Sequence, residues 1–530
     1  MKFKKTTNLF LSVLVLLLFF KINFRFVESI YCCSDDYDYF IHAETISEDF
    51  DFDYSNQLGE DQKSRFYKNG KSAPIGYVGS GLLSAPFMFL GNFFDKIISS
   101  YFSTSNLMNY KLLIYSFSPI FYLFFGMILL LKTLLFFTTR FSKLEFIVFF
   151  LGSGIIYYSF NRFSMTHTFE YFATSLVLYS SFSYYSQPKN EKQAFVLPLS
   201  IMLGLLIRWT NYFLILIPIM AKLMSSSNRK LIKNKIFLFS SIISVGVFAL
   251  LSEKIYGFVT FDPRSAYQVN ETVLNIAQAN SDPNMLTSYL IKFINVFVTQ
   301  EFGILYFMPI LSFTFIFSII SIINFKKHGN YSYIALNTIY ILSVSQLLII
   351  VSIWSSTASS YGFRYLLALY PISIIYYYFL KEEKNTSQWH KILLVLSAFS
   401  IISVLFFEAT PYTQLSTERI YNSFDRITRY TQPTYLTGLI KSFFVFEGYL
   451  KIFTTSFLGS IFFKLLISIF GKFDLINLLE SLGLPVSNQD FLIYLDEINI
   501  ISFDKFLFVI FVFFFISLYI SNISLKRSNK

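Results

Sequence analysis

At 530 residues the chain could hold several soluble domains, but 54% hydrophobic, 20% aromatic and only 14% charged residues, with a mean hydropathy of +0.54, exclude water as its main solvent. The net charge of +11 does not imply nucleic acid. Lys and Arg collect in short segments between apolar runs, as the positive-inside rule requires of a membrane protein.

Lys2, Lys4 and Lys5 precede an apolar run from Leu9 to Phe20. The run continues through Ile22, Phe24 and Phe26 with no small-x-small cleavage site, which favours a retained helix with its N-terminus inside over a signal peptide. Cys32 and Cys33 are adjacent and cannot build a framework of loop-closing disulfides. Residues 28–106 then lie outside, and 28–61 carry eleven acids and no Lys or Arg. Pro74 to Phe94 is apolar but interrupted by Gly76, Gly79, Gly81 and Pro86, which reads as a juxtamembrane or re-entrant helix. A helix over about 107–137 returns the chain to Arg140 and Lys143 in the cytoplasm.

Helices are expected at about 144–158 and 169–185. The stretch 194–224 is read as two short helices broken at Arg208-Trp209-Thr210-Asn211. An unbroken span would carry Arg229, Lys230, Lys233 and Lys235 outside, and an Arg at mid-bilayer costs about 2.5–3.5 kcal/mol on insertion scales. Further helices follow at about 236–258, 303–323, 334–353, 363–380, 392–407 and 506–521. Between the last two lies a second long outer segment, 408–502, whose 435–473 stretch suits amphipathic helices on the outer surface better than a membrane hairpin, which would keep the same parity. The expected fold is thus all-α: a polytopic membrane bundle of about twelve transmembrane helices, both termini inside, with a long outer first loop containing juxtamembrane helices. It divides into a transmembrane domain over 1–407, the outer segment 408–502, and a last helix with its cytoplasmic tail over 503–530. No internal repeat marks a duplicated transporter, and no nucleotide fingerprint is present.

The polar anomalies share the outer face: Asp35, Asp36, Asp38, Asp49, Asp51, Asp53, Arg162, His167, Glu170, Arg208, Glu301 and Arg364. A carboxylate can take a proton from an acceptor hydroxyl or bind a metal, and cations can hold a phosphate and its departing charge. Singly, an Asp at a helix start is usually a cap and a helix-end Arg usually snorkels. Ser34 to Phe40 reads as a helix start, yet the helix dipole accounts for one or two acids there, not three. Asp49, Asp51, Asp53 and Glu60 fall at positions 1, 3, 5 and 12 of an EF-hand loop, but Tyr54 stands where that loop needs Gly. A divalent cation at the acidic loop is left open, and no cofactor is called for otherwise.

The runs "SDDYDYFIHAETISEDFDFDYSNQ" and "YKNGKSAPIGYVGSGLLSAPFMFLG" resemble the first outer loop of bacterial GT-C membrane glycosyltransferases, related to protein O-mannosyltransferases and lipid A aminoarabinose transferases. "SMTHTFEYF", "LIRWTNYFLILIP", "YGFVTFDPRSAY", "TQEFGILYFMPIL" and "WSSTASSYGFRYLLALYP" follow in the same order. In the last, Gly362 and Arg364 lie slightly further from Trp354 than in the family's pattern, and Ser and Ala replace its usual glycines. The likeness covers roughly residues 1–380 in patches. It implies a polyprenyl-phosphate sugar donor, inverting transfer on the outer face of the cytoplasmic membrane to a glycolipid, glycan or protein acceptor, and a first-loop Asp as base or acceptor-orienting group. By matched position that is Asp36, with Asp35 second, while Asp38 stands where the family often has Tyr. Arg364, Arg208 and His167 are the candidates for donor phosphate and sugar, with Asp49, Asp51 and Glu301 as further substrate-binding candidates. Expected partners are the donor, its acceptor and membrane lipids. A transporter or flippase, and a polymerase or ligase of lipid-linked saccharides, are the competing readings. A flippase calls for ionisable residues deep in its helices rather than clustered outside.

Overall fold

The computed structural model describes residue 17 and residues 33–58, 67–68, 71–74, 76–101, 110–136, 138, 141–187, 191–225, 227, 229–261, 293–294, 296–298, 303–323, 331–354, 361–383, 387–407, 435–454, 456–482 and 489–511. The expected first span, the last helix beyond residue 511, and the loop with Asp262, Arg264 and Tyr267 lie outside them. Among the described residues the fold is all-α apart from one two-residue hairpin, β1 (Tyr67–Lys68) against β2 (Lys71–Ser72).

The first loop folds as α1 (Cys33–Glu48), the single turn α2 (Ser55–Leu58) and α3 (Gly79–Tyr101). Helix α3 runs antiparallel to α4 (Tyr110–Leu134). Asp95 of α3 accepts the backbone N–H groups of Tyr110 and Lys111 at 2.8 and 2.9 Å, capping the first turn of α4 from outside it. Deeper, Ser118 donates to Ser84 at 3.0 Å and Tyr122 to the Leu83 carbonyl at 3.1 Å. Those contacts lie about 12 and 18 Å along α4 from Tyr110, at 1.5 Å per residue. The glycine-rich end of α3 therefore packs beside the middle of α4.

Not every expected helix is continuous: 303–323 divides at Met308, and 363–380 opens as a 3₁₀ turn. Residues 144–158 divide into α5 (Lys143–Leu151) and α6 (Ile155–Phe160) at Gly152-Ser153-Gly154. Gly154 has φ +75°, and a Cβ on it would sit 2.6 Å from the Tyr361 ring. The break makes room for that ring, and only glycine takes the turn without strain.

Helix α7 (His167–Ser186) is followed by α8 (Lys192–Ile207), a 3₁₀ turn at Asn211–Ile215 and α9 (Leu216–Met224). The break at Arg208 is a reversal. Beyond α9 the Arg229 guanidinium bonds Glu191 before α8, and it donates to the Tyr184 carbonyl at the end of α7 at 2.6 Å. Helix α10 (Lys235–Tyr256) then runs the other way, and Tyr256 donates to the Gly76 carbonyl of the first loop. Next come α11 (Ile304–Phe307), α12 (Pro309–Ile323), α13 (Tyr331–Trp354), a 3₁₀ turn at Arg364–Leu369, α14 (Tyr370–Glu383) and α15 (Ser387–Phe406). A large core of aliphatic and aromatic side chains joins α4 to α15, with Tyr171, Phe307, Tyr361, Tyr370 and Tyr376 fully buried in it.

Helices α16 (Tyr435–Phe444), α17 (Phe446–Thr454), α18 (Phe457–Phe470), α19 (Lys472–Ser481) and α20 (Gln489–Ile500) form the C-terminal segment. Helices α18, α19 and α20 share a small core of Phe463, Ile467, Leu475, Leu479 and Leu495. The chain after α20 ties back to the first loop, where the Tyr110 hydroxyl donates to Asp504 at 2.8 Å and the Phe508 ring meets Phe94 and Tyr110.

Among the described residues three helices are long and apolar enough to cross a membrane, Tyr110–Leu134, Lys235–Tyr256 and Trp389–Phe406, with Gly448–Thr454 and Phe457–Phe470 a pair bent by 82°. Lys192–Ile207, Asn211–Met224, Pro309–Ile323 and Leu336–Ile349 are shorter apolar helices. The chain is a membrane protein by these helices. Among the described residues these are fewer full-length spans than the expected twelve; the turn at Gly154 cuts one expected helix into two short ones.

Candidate functional site

The site begins where α6 turns into α7. His167 and Glu170 stand one helical turn apart at the start of α7, both 1% exposed as side chains. His167 Nδ1 lies 2.8 Å from Glu170 Oε2. A carboxylate oxygen accepts, so Nδ1 carries the proton. The Tyr158 ring packs edge-on against the imidazole at 4.5 Å, and its hydroxyl donates to the Tyr361 carbonyl at 2.8 Å.

Two arginines reach this pair from separate elements. Arg208, at the reversal between α8 and the following 3₁₀ turn, brings Nη1 to 3.6 Å from Glu170 Oε2. Asn211 also hydrogen-bonds Glu170 and donates to the Gly204 carbonyl at 3.0 Å, fixing the reversal. Arg364 opens the 3₁₀ turn that leads into α14, just after Gly362, whose φ is +59°. The Tyr365 ring lies under both guanidinium groups, 4.7 Å from Arg208 and 5.2 Å from Arg364. Arg364 also approaches Met165 Sδ at 3.6 Å and the Tyr365 hydroxyl at 3.5 Å.

Helix α1 supplies the third side. Asp36 is 2% exposed, and Arg162, from the turn before α7, donates to its Oδ2 from both Nε, at 2.9 Å, and Nη2. Tyr39, one turn along α1, lies within electrostatic reach of Arg208. The turn of residues 161–166 thus holds Asp36 through Arg162 and touches Arg364 through Met165. Asp36, His167, Arg208 and Arg364, spread over more than 300 residues of chain, meet in one neighbourhood with Glu170 and Tyr365.

Helix α1 is itself locked in place. His42, fully buried, has Nε2 2.7 Å from the Gly76 carbonyl and Nδ1 2.7 Å from the Tyr54 hydroxyl. The carbonyl only accepts, so Nε2 carries the proton and Nδ1 accepts from Tyr54. Burial pushes its pKa from 6.5 down to about 4, against the opposing pull of the Gly76 bond. Lys111 at the head of α4 bonds Glu44 and Glu48 near the other end of α1.

Not every candidate joins the cluster. Asp35 lies on α1, with its side chain outside the described residues, as are Glu301 and Glu60. Asp49 follows α1, thirteen residues past Asp36 or about 20 Å along the helix. It accepts from Asn56 at 2.9 Å and from Gln57. Asp51 and Asp53 accept the backbone N–H groups of Asp53 and Ser55 at 3.0 and 3.1 Å. The spacing that resembles a calcium loop thus folds as local side-chain turns. Among the described residues no three of His, Cys, Asp and Glu converge on a metal position. Asp38, 1% exposed, is buried on α1 with Asp36. Tyr365, Tyr39 and His42 escaped the sequence reading. Only the adjacency of Tyr365 to Arg364 pointed to any of them.

No protein family and no curated protein matches the chain. Among solved structures it is similar to the crystal structure of the Archaeoglobus fulgidus oligosaccharyltransferase in the apo form, with 16% identity and a TM-score of 0.38. The match covers 84% of this chain and 56% of that one, so the chain spans little more than half the length of the protein it matches. A likeness of that depth fixes neither the details of the fold nor the activity.

Proposed function

We propose that the protein is a membrane glycosyltransferase that moves a sugar from a polyprenyl-phosphate-linked donor to a glycolipid, glycan or protein acceptor at the outer face of a bacterial cytoplasmic membrane. The observation that carries this reading is the convergence of Arg208 and Arg364 on one Tyr365 ring beside the buried Asp36. Guanidinium groups form paired, charge-assisted hydrogen bonds with phosphate oxygens. Two of them close together repel, and an anionic phosphate between them offsets that cost. Arg208 and Arg364 hold the donor phosphate and its departing charge, His167 and Glu170 orient Arg208 and the sugar, and Asp36 accepts a hydrogen bond or proton from the acceptor hydroxyl with Arg162 fixing its rotamer. Asp35 is the second carboxylate, and Asp49, Asp51 and Glu301 line the approach. The chain crosses about twelve times in the arrangement of segments expected above, with the cluster and 408–502 outside.

The test is incorporation of labelled sugar from a polyprenyl-phosphate donor into membrane glycolipid or protein. Asp36→Asn keeps the shape and removes the proton-accepting charge. Transfer should fall about 10²- to 10⁴-fold while protein amount and donor binding persist. Near-normal transfer by both Asp36→Asn and Asp35→Asn would remove the first-loop mechanism. A wild type that carries the lipid-linked sugar across vesicles without transferring it would establish a flippase. Sidedness is read by impermeant labelling of a cysteine at the exposed position 233, in a background lacking Cys32 and Cys33. Labelling in intact cells would overturn the topology.

A further inference from the structure

The turn between α9 and α10 is more tightly built than a loop that merely obeys the charge rule. Arg229 is held by Glu191, by the Tyr184 carbonyl at 2.6 Å, by the Gln187 carbonyl at 3.2 Å, and over the Tyr184 ring at 4.0 Å. Asn234 donates to the other Glu191 oxygen at 2.7 Å, while its own oxygen accepts the N–H groups of Ile236 and Phe237 and so caps α10. Lys222 bonds the Ser227 carbonyl. Glu191, the carboxylate within this knot, is thereby occupied, and the first turn of α10 is already capped by Asn234. Three ammonium groups remain on the outside of the scaffold, on Lys230, Lys233 and Lys235, all exposed and without an ion pair among the described residues.

Between them stands an apolar side chain that water does not favour. Ile232 is 80% exposed, and Ile236 at 42% and Phe239 at 61% share a face three residues apart on α10, a helix long and apolar enough to cross a membrane. A row of lysines above an apolar stripe matches the boundary of a lipid leaflet, with headgroups at the charge and acyl chains at the stripe.

We propose that Lys230, Lys233 and Lys235 form a binding site for the headgroup phosphate of an anionic phospholipid, with Ile232 and Phe239 against its acyl chains. Arg229 and Asn234 fix the backbone that carries the three lysines, so they meet the headgroup without the ordering of a mobile loop. Each Lys near an anionic surface raises partitioning about fivefold. The site lies at the far end of α10 from the candidate catalytic cluster and is independent of the glycosyltransferase reading.

The test uses the purified full-length protein in detergent at low salt, exposed to equal amounts of phosphatidylglycerol and phosphatidylcholine, with retained lipid counted by native mass spectrometry. Wild type should retain phosphatidylglycerol about tenfold or more over phosphatidylcholine, and 0.5 M salt should erode the preference. The triple variant Lys230→Gln, Lys233→Gln, Lys235→Gln should lose most of it, and the corresponding triple Arg variant should keep it. If the triple Gln variant does not elute as a folded species, Lys230→Gln and Lys233→Gln singly should each lower the preference severalfold. Equal retention of the two lipids by wild type, or undiminished preference in the Gln variants, would overturn the proposal. So would displacement by millimolar inorganic phosphate, which marks a soluble-anion site.

Discussion

Two groups of ionisable side chains sit at the two ends of the segment from Arg364 to Lys381, roughly 25 Å apart along its axis, and they are built on opposite plans. At the Lys381 end, both oxygens of Glu145 accept from the Lys381 ammonium at 2.6 Å, and His390 Nε2 lies 3.2 Å from the same carboxylate. Tyr377 bonds the other His390 nitrogen, and Tyr378 donates to the Ser142 carbonyl at 3.0 Å. Helices α5, α14 and α15 are pinned together by charges that satisfy one another. At the Arg364 end the carboxylate of Glu170 binds His167 closely, but Arg208 stands 3.6 Å away and both guanidinium groups rest on the Tyr365 ring. An aromatic face orients a cation without neutralising it. One end closes the structure, and the other leaves oriented cations where the proposed donor phosphate would bind.

That contrast is broken most directly by exchanging which property each end loses. Arg364→Lys keeps the charge but not the planar fork, and should lower transfer about 10²-fold while the thermal unfolding midpoint stays near wild type. Equal loss of folded protein and transfer would show that Arg364 serves packing instead. Glu145→Ala should do the reverse. Leaving Lys381 and His390 without their carboxylate should cost about 3 kcal/mol, at the low end for a broken buried pair because Lys381 is 26% exposed. Transfer per folded molecule should be unchanged, and a selective loss of turnover would erase the distinction between the ends.

The lock on α1 sharpens the comparison through pH. His42 has a folded pKa of about 4 against an ordinary 6.5, so between those values the unfolded chain binds the extra proton. Stability is therefore full above pH 6.5 and lost as pH falls towards 4, by about 2 kcal/mol between pH 7 and pH 5. The unfolding midpoint of wild type should fall over that range, and His42→Gln should remove that part of the slope while lowering the midpoint at pH 7. The smallest effect is expected at Asp53, where Ser55 side-chain and backbone hydrogen bonds hold the carboxyl below its usual value. Asn can accept the same turn bond, so Asp53→Asn should cost only a few tenths of a kcal/mol and leave transfer near normal. A loss of transfer like that of Asp36→Asn, partly rescued by a divalent cation, would instead draw the acidic loop into the site.

Much of this was legible where a single residue type has one cheap solution in a bilayer. Arg208 in the middle of an apolar run demanded a reversal, and the structure has one. Gly76, Gly79, Gly81 and Pro86 suggested an interrupted helix, yet α3 runs unbroken through Pro86 and packs beside α4. The common end of Asp36, His167, Arg208 and Arg364 followed from loop charge alone. What escaped depends on partners distant in sequence. The apolar run from Leu144 to Tyr158 gives no sign that Tyr361 needs the space at Gly154, and Glu145 reads as an acid in a helix's first turn until Lys381 and His390 are placed beside it. The Asp49-Phe50-Asp51-Phe52-Asp53 spacing misled in the other direction, because alternate acids suit a ligand loop and a series of side-chain turns equally well.

The reversal at Arg208 also bears on how the chain enters the membrane during synthesis. Helix α8 has 16 residues, and the stretch from Asn211 to Met224 is shorter still, while a helix that inserts by itself needs about 20. Neither half is an adequate insertion signal. On the proposed topology the two would partition together as one hairpin, with the closure between Glu191 and Arg229 as its latch and Arg208 carried across at its tip. On the proposed topology, biogenesis would then deliver Arg208 to the far leaflet without α8 or the stretch after it having to hold a charge at its centre.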